Sequence, residues 1–256
     1  MHGAIERLRG WVESTQEATF FTLRAFGSAF KRPYYAREVV EQIHFAGIGS
    51  LFIVVISAIV AGQALSLQLV RELSVTGTKS ELGHFMVISV VRALGPVLTG
   101  MVVASRLAAG ITAELGAMRS SDQIDALTAF GTDPVKRLVV PRVIALLVAL
   151  PALTVVSDAL QILGGGIVGL AYQLPYSSYM AGVRRYMTPE NITVGMVKPF
   201  FFSLLIGVVA TWKGFTSEGG ARGVGVSTTQ SVVICIVGIL IVDGILTKFV
   251  FRMFGW

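Results

Sequence analysis

The sequence predicts an all-α integral membrane protein, and three observations carry that prediction. Only 14% of the residues are charged and 54% are hydrophobic, against roughly 25% charged in an average soluble domain. The mean hydropathy is +0.73, and a soluble surface cannot be built from that composition. The apolar runs are also long and separated by short polar breaks, whereas a membrane barrel shows segments of about ten residues with alternating polarity. The chain reads as a single domain over 1–256, with an N-terminal segment at 1–45 and a five-span core at 46–252.

Residues 4–32 interleave Trp11, Phe20, Phe21, Leu23, Phe26 and Phe30 with Arg7, Arg9, Arg24, Lys31 and Arg32. Basic and aromatic residues mixed in this way suit a helix lying in the membrane interface, the competing reading being a soluble tail. Residues 1–45 lack the 7–15-residue apolar core of a signal peptide.

The spans follow. Residues 47–70 are 24 positions without a charge, about 36 Å of helix, which suffices for a hydrocarbon core of about 30 Å. Residues 84–105 form a second span interrupted only by Arg92. Residues 143–173 contain Pro151, Asp158 and Gly164-Gly165-Gly166 and read as one long kinked helix. Residues 199–216 and 228–251 make the fourth and fifth spans.

Orientation follows from Lys and Arg. With the N-terminus inside, thirteen basic residues fall on inner segments and seven on outer ones, the latter including Lys198; Arg92 lies within the membrane. This bias predicts a cytoplasmic N-terminus and a periplasmic C-terminus. The net charge of +6 then suits anionic lipid headgroups, not nucleic acid. The outer segment 174–198, with Pro175, Tyr176, Tyr179, Tyr186 and Pro189, suits a short helix resting on the outer interface.

Between the second and third spans stands the run RSSDQIDALTAFGTDP, residues 119–134. Ser120 fits an N-cap with Gln123 three residues later, as in a capping box. Gly131 fits the C′ position and Pro134 follows. A helix near 121–130 is expected, too short to cross a bilayer, with Ile124, Leu127 and Phe130 on one side and Asp122 and Asp125 on another. It is either a solvated connector or a docking helix for a cytoplasmic partner.

Three ionisable residues lie within spans: Arg92, Asp158 and Asp243. Charges at membrane depth are costly and face a partner or a water-lined cavity. They read as an intramembrane charge network, structural or functional. Gln63 and Gln68 either line a cavity or join helices by hydrogen bonds. Gly164-x-Gly166-x-x-Gly169 has the letters of a dinucleotide fingerprint but sits in an apolar span, so close helix packing explains it better. Gly219-Gly220-Ala221-Arg222-Gly223-Val224-Gly225 lacks the Lys-Ser/Thr of a P-loop and reads as a flexible loop or hinge. The single Cys235 forms no internal disulfide. His2, His44 and His84 have no metal-ligand spacing, and no nucleophile–base set is visible. The chain therefore reads as a non-enzyme.

Several runs resemble the MlaE/YrbE permease family: Arg92-Ala-Leu-Gly-Pro-Val97, Ala113-Glu-Leu-Gly-Ala-Met-Arg119, Gln123-Ile-Asp-Ala-Leu127, Asp133-Pro134 and Val140-Pro-Arg142. So do Gly219-Gly-Ala-Arg-Gly-Val-Gly-Val-Ser-Thr-Thr229, Asp243 and Leu246-Thr247. The match runs in order over most of residues 40–250. The resemblance implies the membrane subunit of an ABC transporter that moves phospholipid between the inner and outer membranes and maintains outer-membrane lipid asymmetry. It implies a homodimer in the bacterial inner membrane. The implied partners are two cytoplasmic ATPase subunits, a periplasmic hexamer of MCE-domain proteins and often a small STAS-domain protein. No cofactor is expected on this chain; ATP and Mg belong to the ATPase.

Carried over by position, the resemblance implies a lipid pocket from Leu65, Gln68, Leu69, Leu73, Arg92, Leu94 and Lys198. The leucines would meet acyl chains, and Arg92 and Lys198 would hold a phosphate. Many members carry an acid directly after this arginine, where this chain has Ala93, so Arg92 is left to look to Asp243 or to lipid. The segment between spans two and three corresponds to the coupling helix that fits a groove on the ATPase, with Glu114, Gly116, Arg119, Asp122, Asp125, Ala126 and Leu127 on it. A competing reading is a self-sufficient secondary transporter using Arg92, Asp158 and Asp243, although five spans do not form an inverted repeat. A membrane-embedded lipid enzyme is a third reading, against which the missing catalytic set argues.

Overall fold

A computed structural model describes residues 35–254 and, before them, the helical positions 20, 21, 23 and 27. The interfacial helix expected over 4–32 therefore lies largely outside the described residues. The described elements are helices: α1 (Ala36–Val75), a 3-10 turn (Lys79–Glu81), α2 (Leu82–Ser89), a π turn (Val90–Leu94), α3 (Gly95–Ser120), α4 (Gln123–Ala129), a second π turn (Val135–Val139), α5 (Val140–Ala171), α6 (Tyr176–Tyr186), α7 (Pro189–Phe215) and α8 (Gly220–Phe254). Five stretches are long and apolar enough to cross a membrane: α1, Lys79–Ser120, Val135–Ala171, α7 and Gly220–Val250. Helices α4 and α6 follow successive spans and so lie at opposite ends of the bundle.

Helix α1 has 40 residues, about 60 Å at 1.5 Å per residue, roughly twice a hydrocarbon core. Its buried positions are Ala46, Ser50, Val54, Ala58, Gly62, Ser66, Val70 and Leu73. From Ala46 to Val70 they recur every fourth residue, and they are mostly small. A stripe of this kind lets backbones approach closely, which supplies packing where lipid offers no hydrophobic contrast. The partner is α5. A Cβ on Gly62 would stand 2.2 Å from the Gln161 carbonyl oxygen, and one on Gly164 would stand 2.8 Å from that of Ile59. The Ser66 hydroxyl donates to the Gly165 carbonyl oxygen at 2.9 Å. The glycine run of the third span is thus a helix-packing surface, and α5 is continuous through the buried Pro151.

The centre of the bundle is α3, packed on α7 and α8. Its buried face of Val103, Ala104, Leu107, Ala108, Ile111 and Leu115 meets Phe202, Ile206 and Ala210 of α7 and Cys235 and Ile239 of α8. A second apolar cluster lies toward the α6 end, where Val70 and Leu73 meet Leu82, Met86, Val90 and Val91. There the Tyr179 hydroxyl donates to the Ile162 carbonyl oxygen at 2.6 Å.

Both π turns end at a glycine or valine followed directly by proline: Gly95-Pro96 and Val140-Pro141. Proline has no N–H and its ring crowds the carbonyl of residue i−4. The helix accommodates this by widening, with Gly95 N–H reaching the Val90 carbonyl and Val140 N–H reaching that of Val135. Such π turns are rare and recur at functional sites.

The structure corrects several boundaries. The fourth span begins at Pro189, not 199. Thr188 is its N-cap, its hydroxyl accepting from Asn191 N–H, with Pro189 at the first helical position. Lys198 therefore lies inside a span and is not an outer-loop charge. The glycine-rich run from Gly220 is the first turn and more of α8, so the expected flexible loop is helix; only Gly219 and Gly220 have positive φ.

Candidate functional site

Two regions hold the residues that the sequence singled out. The first surrounds the π turn of the second span. Arg92 is its middle residue, and its carbonyl is the one that Pro96, four residues on, leaves without a helical donor. The ammonium of Lys198 fills that vacancy at 2.7 Å. The same ammonium donates to the Thr247 hydroxyl at 2.9 Å and stands 2.7 Å from Asp243 Oδ1. Two of the three N–H donors of this lysine go to the carbonyl and the hydroxyl; the Asp243 contact is an ion pair, to an oxygen without a hydrogen-bond partner among the described residues. Lys198 is 1% exposed. It ties α7 and α8 to the π turn.

Arg92 takes a different partner. Its Nε donates to Asn191 Oδ1 at 2.7 Å, and Asn191 Nδ2 donates to the Tyr186 carbonyl oxygen at 2.5 Å. The cap at Thr188 sets Asn191 in the first turn of α7, so α6, α7 and the π turn meet at one amide. The ion partner of Asp243 is thus Lys198, and the Arg92 side chain, expected to look to Asp243 or to lipid, meets the Asn191 amide. Asp158 does not join them. Its Oδ1 lies where a Cβ on Gly95 would stand, and that atom is buried without a hydrogen-bond partner among the described residues. The three intramembrane charges form a lysine-centred cluster and a separate carboxyl.

Of the predicted lipid contacts, Leu65 and Leu69 are half-buried against the second apolar cluster, and Leu73 is 9% exposed within it. Leu94 is half-buried and Gln68 is exposed. Gln68 borders a cleft of about 320 Å³ with Leu67, Arg71, Glu72 and Tyr172. Val90 and Val91 belong to the same cluster as Leu73, so apolar packing joins the α6 end of α1 to the π turn that carries Arg92.

The second region is the segment between α3 and α5. Helix α4 covers Gln123–Ala129, and its N-cap is Asp122 at φ 56°, not Ser120. Ser120 is the last residue of α3, and its hydroxyl donates back to the Gly116 carbonyl oxygen at 2.9 Å. Gln123 Nε2 donates to Ser121 Oγ instead of closing a capping box. The C-terminal end agrees with expectation. Gly131 has φ 75°, its N–H reaches the Thr128 carbonyl, and Thr132 N–H reaches that of Leu127. This is a Schellman closure. Ile124 is 4% exposed and Leu127 half-buried, but Phe130 is 86% exposed, so it does not belong to the packed face. Asp122, Asp125 and Ala126 are exposed, and Arg119 pairs with Asp125. Gly116 faces Val224 and Ser217 inside the bundle, and Glu114 pairs with Arg142 at 2.7 Å. Three of the seven predicted coupling residues, Glu114, Gly116 and Arg119, therefore lie on α3 and not on the short helix.

Residues 39–249 match the Permease MlaE family. The chain belongs to the MlaE permease family. It is 35% identical over 245 residues to a "Probable ABC transporter permease protein" of Rickettsia felis, covering 95% of this chain and 94% of that one. It is 32% identical over 254 residues to one of Synechocystis, covering 99% and 97%. It is also 36% identical over 220 residues to the chloroplastic protein trigalactosyldiacylglycerol 1 of Arabidopsis thaliana, covering 86% of this chain and 63% of that one. This MlaE-family chain is thus a multi-pass permease subunit of the ABC transporter type, which implies an ATPase partner. Sequence reasoning missed Asn191 and Arg142 as site partners. The Thr188-Pro189-Glu190-Asn191 run carried a helix-start signal for the first, and the position directly after Pro141 marked the second.

Proposed function

We propose that this permease moves phospholipid between the inner and outer membranes of a double-membraned cell and so maintains outer-membrane lipid asymmetry. It works as a homodimer in the inner membrane, with cytoplasmic ATPases and a periplasmic MCE-domain hexamer as partners, often joined in this family by a STAS-domain protein. ATP and Mg are used by the ATPase, and no catalytic residue is assigned to this chain. The N-terminus is cytoplasmic and the C-terminus periplasmic. Moving Lys198 into the membrane leaves thirteen basic residues inside against six outside, which keeps that orientation. A lipid cargo is supported by the relative that bears a lipid's name.

The observation that carries the reading is α4. It is a seven-residue helix closed by Gly131, seated on the bundle through Ile124 and presenting Asp122, Asp125 and Ala126 outward. A rigid exposed helix between two spans suits transmission of a partner's motion better than a solvated connector does. The lipid contacts proposed are Leu65, Gln68, Leu69, Leu73, Arg92, Leu94 and Lys198, with the last held by Asp243 until a conformational change releases it. Reversing both charges, Asp122→Lys with Asp125→Lys, is expected to abolish co-purification with the ATPase. An intact complex with an unchanged ATPase rate would sink the docking claim.

A further inference from the structure

The clearest arrangement left unused by that reading is the ion pair beneath the coupling segment. Arg142 is the third residue of α5 and is 5% exposed. Its Nη2 stands 2.7 Å from Glu114 Oε1 of α3, and its Nη1 donates to the Leu138 carbonyl oxygen at 2.6 Å. Leu138 belongs to the π turn that Pro141 follows. One guanidinium thus joins the last turns of α3 to both the π turn and the first turn of α5. Everything between those anchor points, including α4, projects beyond them.

Resting on the reading of α4 as the ATPase contact, we propose that Glu114 and Arg142 are positioning residues that make the two stems of the coupling segment move as one body. Glu114 acts through Arg142 and not through the ATPase. The physical reason lies in the widened turn. A π turn has a weaker hydrogen-bond ladder than an α-helix and is a natural place to bend. Without the clasp, a push on α4 bends the stem at Val135–Val139 and dissipates locally. With it, the displacement reaches α3 and α5 together. Helix α3 is continuous with the π turn holding Arg92, and α5 carries Asp158. The guanidinium is buried although the Glu114 carboxylate is half-exposed, so losing that carboxylate leaves an uncompensated buried charge.

The test uses the assembled permease–ATPase complex in liposomes and reads phospholipid transferred per ATP hydrolysed. Glu114→Gln is expected to leave ATPase co-purification and basal hydrolysis intact. It should lower transfer per ATP by about fivefold to tenfold, a coupling loss of the size networks of this kind carry. Glu114→Asp, which keeps the carboxylate, is expected to recover most of it. The paired change Glu114→Gln with Arg142→Gln guards against a folding defect. It removes the orphan charge, so thermal stability returns while transfer per ATP stays low. Wild-type transfer per ATP in Glu114→Gln would overturn the proposal. Loss of ATPase co-purification in that variant would also overturn it, in favour of direct contact. Failure of the docking reading shows separately, as an intact complex when Asp122 and Asp125 are reversed.

Discussion

The ammonium of Lys198 stands 2.7 Å from the carbonyl oxygen of Arg92, the one that Pro96 strips of its helical donor. Backbone chemistry in one span therefore sets where a lysine of another must sit. The same lysine meets Asp243 and Thr247 of α8. Three spans are fixed by one side chain, and the fixing is reversible because each contact is polar. Lys198→Met should destabilise the protein by about 3 kcal/mol, since it leaves the Asp243 carboxylate without its ion partner and a carbonyl without its donor. Adding Asp243→Leu should recover much of the loss. Thermal unfolding of the detergent-solubilised protein reads both; equal stability of the lysine variant and the wild type would show that the contacts carry no net weight.

Pro96→Ala gives the converse. Alanine restores the N–H that reaches residue 92, so the π turn can close into a regular α-helix and the Arg92 carbonyl no longer needs Lys198. Fold stability should be held or raised, since proline inside a helix costs about 3 kcal/mol relative to alanine. Lipid transfer should fall, because Arg92 rotates away from Asn191. A variant that transfers lipid normally would show that the widened turn is structural only.

The packing of α1 on α5 makes a steric prediction. Gly62→Ala places a methyl 2.2 Å from a backbone oxygen of Gln161, an atom that cannot swing aside. The helices must separate, at a cost of about 1–3 kcal/mol or more. Ser66→Ala, one turn on, removes only the hydrogen bond to Gly165 and should cost about 1 kcal/mol. Melting temperatures in one detergent rank the two; a milder effect for the glycine change would mean that the stripe tolerates separation.

Gly131 closes α4 at φ 75°, where a Cβ would meet nothing within 4 Å. Gly131→Ala therefore tests conformation without sterics, and the left-handed backbone should cost about 1 kcal/mol locally. The overall melt should hardly move, whereas affinity for the ATPase should fall because the exposed acids lose their fixed frame. Titration of the ATPase onto the purified permease checks this, with unchanged affinity showing that α4 folds against its partner regardless of its cap.

Much of this architecture is legible in the sequence where it depends on composition along one helix. Long apolar runs locate all five spans, the glycine triple marks helix packing, and Gly131 with Pro134 ends α4. The cap at Ser120 fails because α3 continues through it, so a good local cap is overridden by a helix already in progress. The start of α7 is missed for a different reason. Hydropathy treats Lys198 as a loop residue, whereas a lysine with three partners can be buried, and those partners lie on other helices. The π turns depend on proline acting on a carbonyl four residues back, and no side-chain periodicity reports that.

The lipid contacts are sharpened by burial. The proposed set along α1 comprises Leu65, Gln68, Leu69 and Leu73, yet Leu73 sits within the apolar cluster while Gln68 is exposed beside the cleft with Arg71, Glu72 and Tyr172. Photo-crosslinkers placed one at a time in the assembled complex should separate these positions. Gln68 should label phospholipid most strongly and Leu65 less. Leu73 should label only under turnover with ATP, when the cluster opens. Val237, exposed on α8, reports the background from bulk lipid. Labelling at Gln68 no stronger than at Val237 would remove the α1 positions from the pocket. Labelling at Leu73 without ATP would mean that the cluster admits lipid in the resting state.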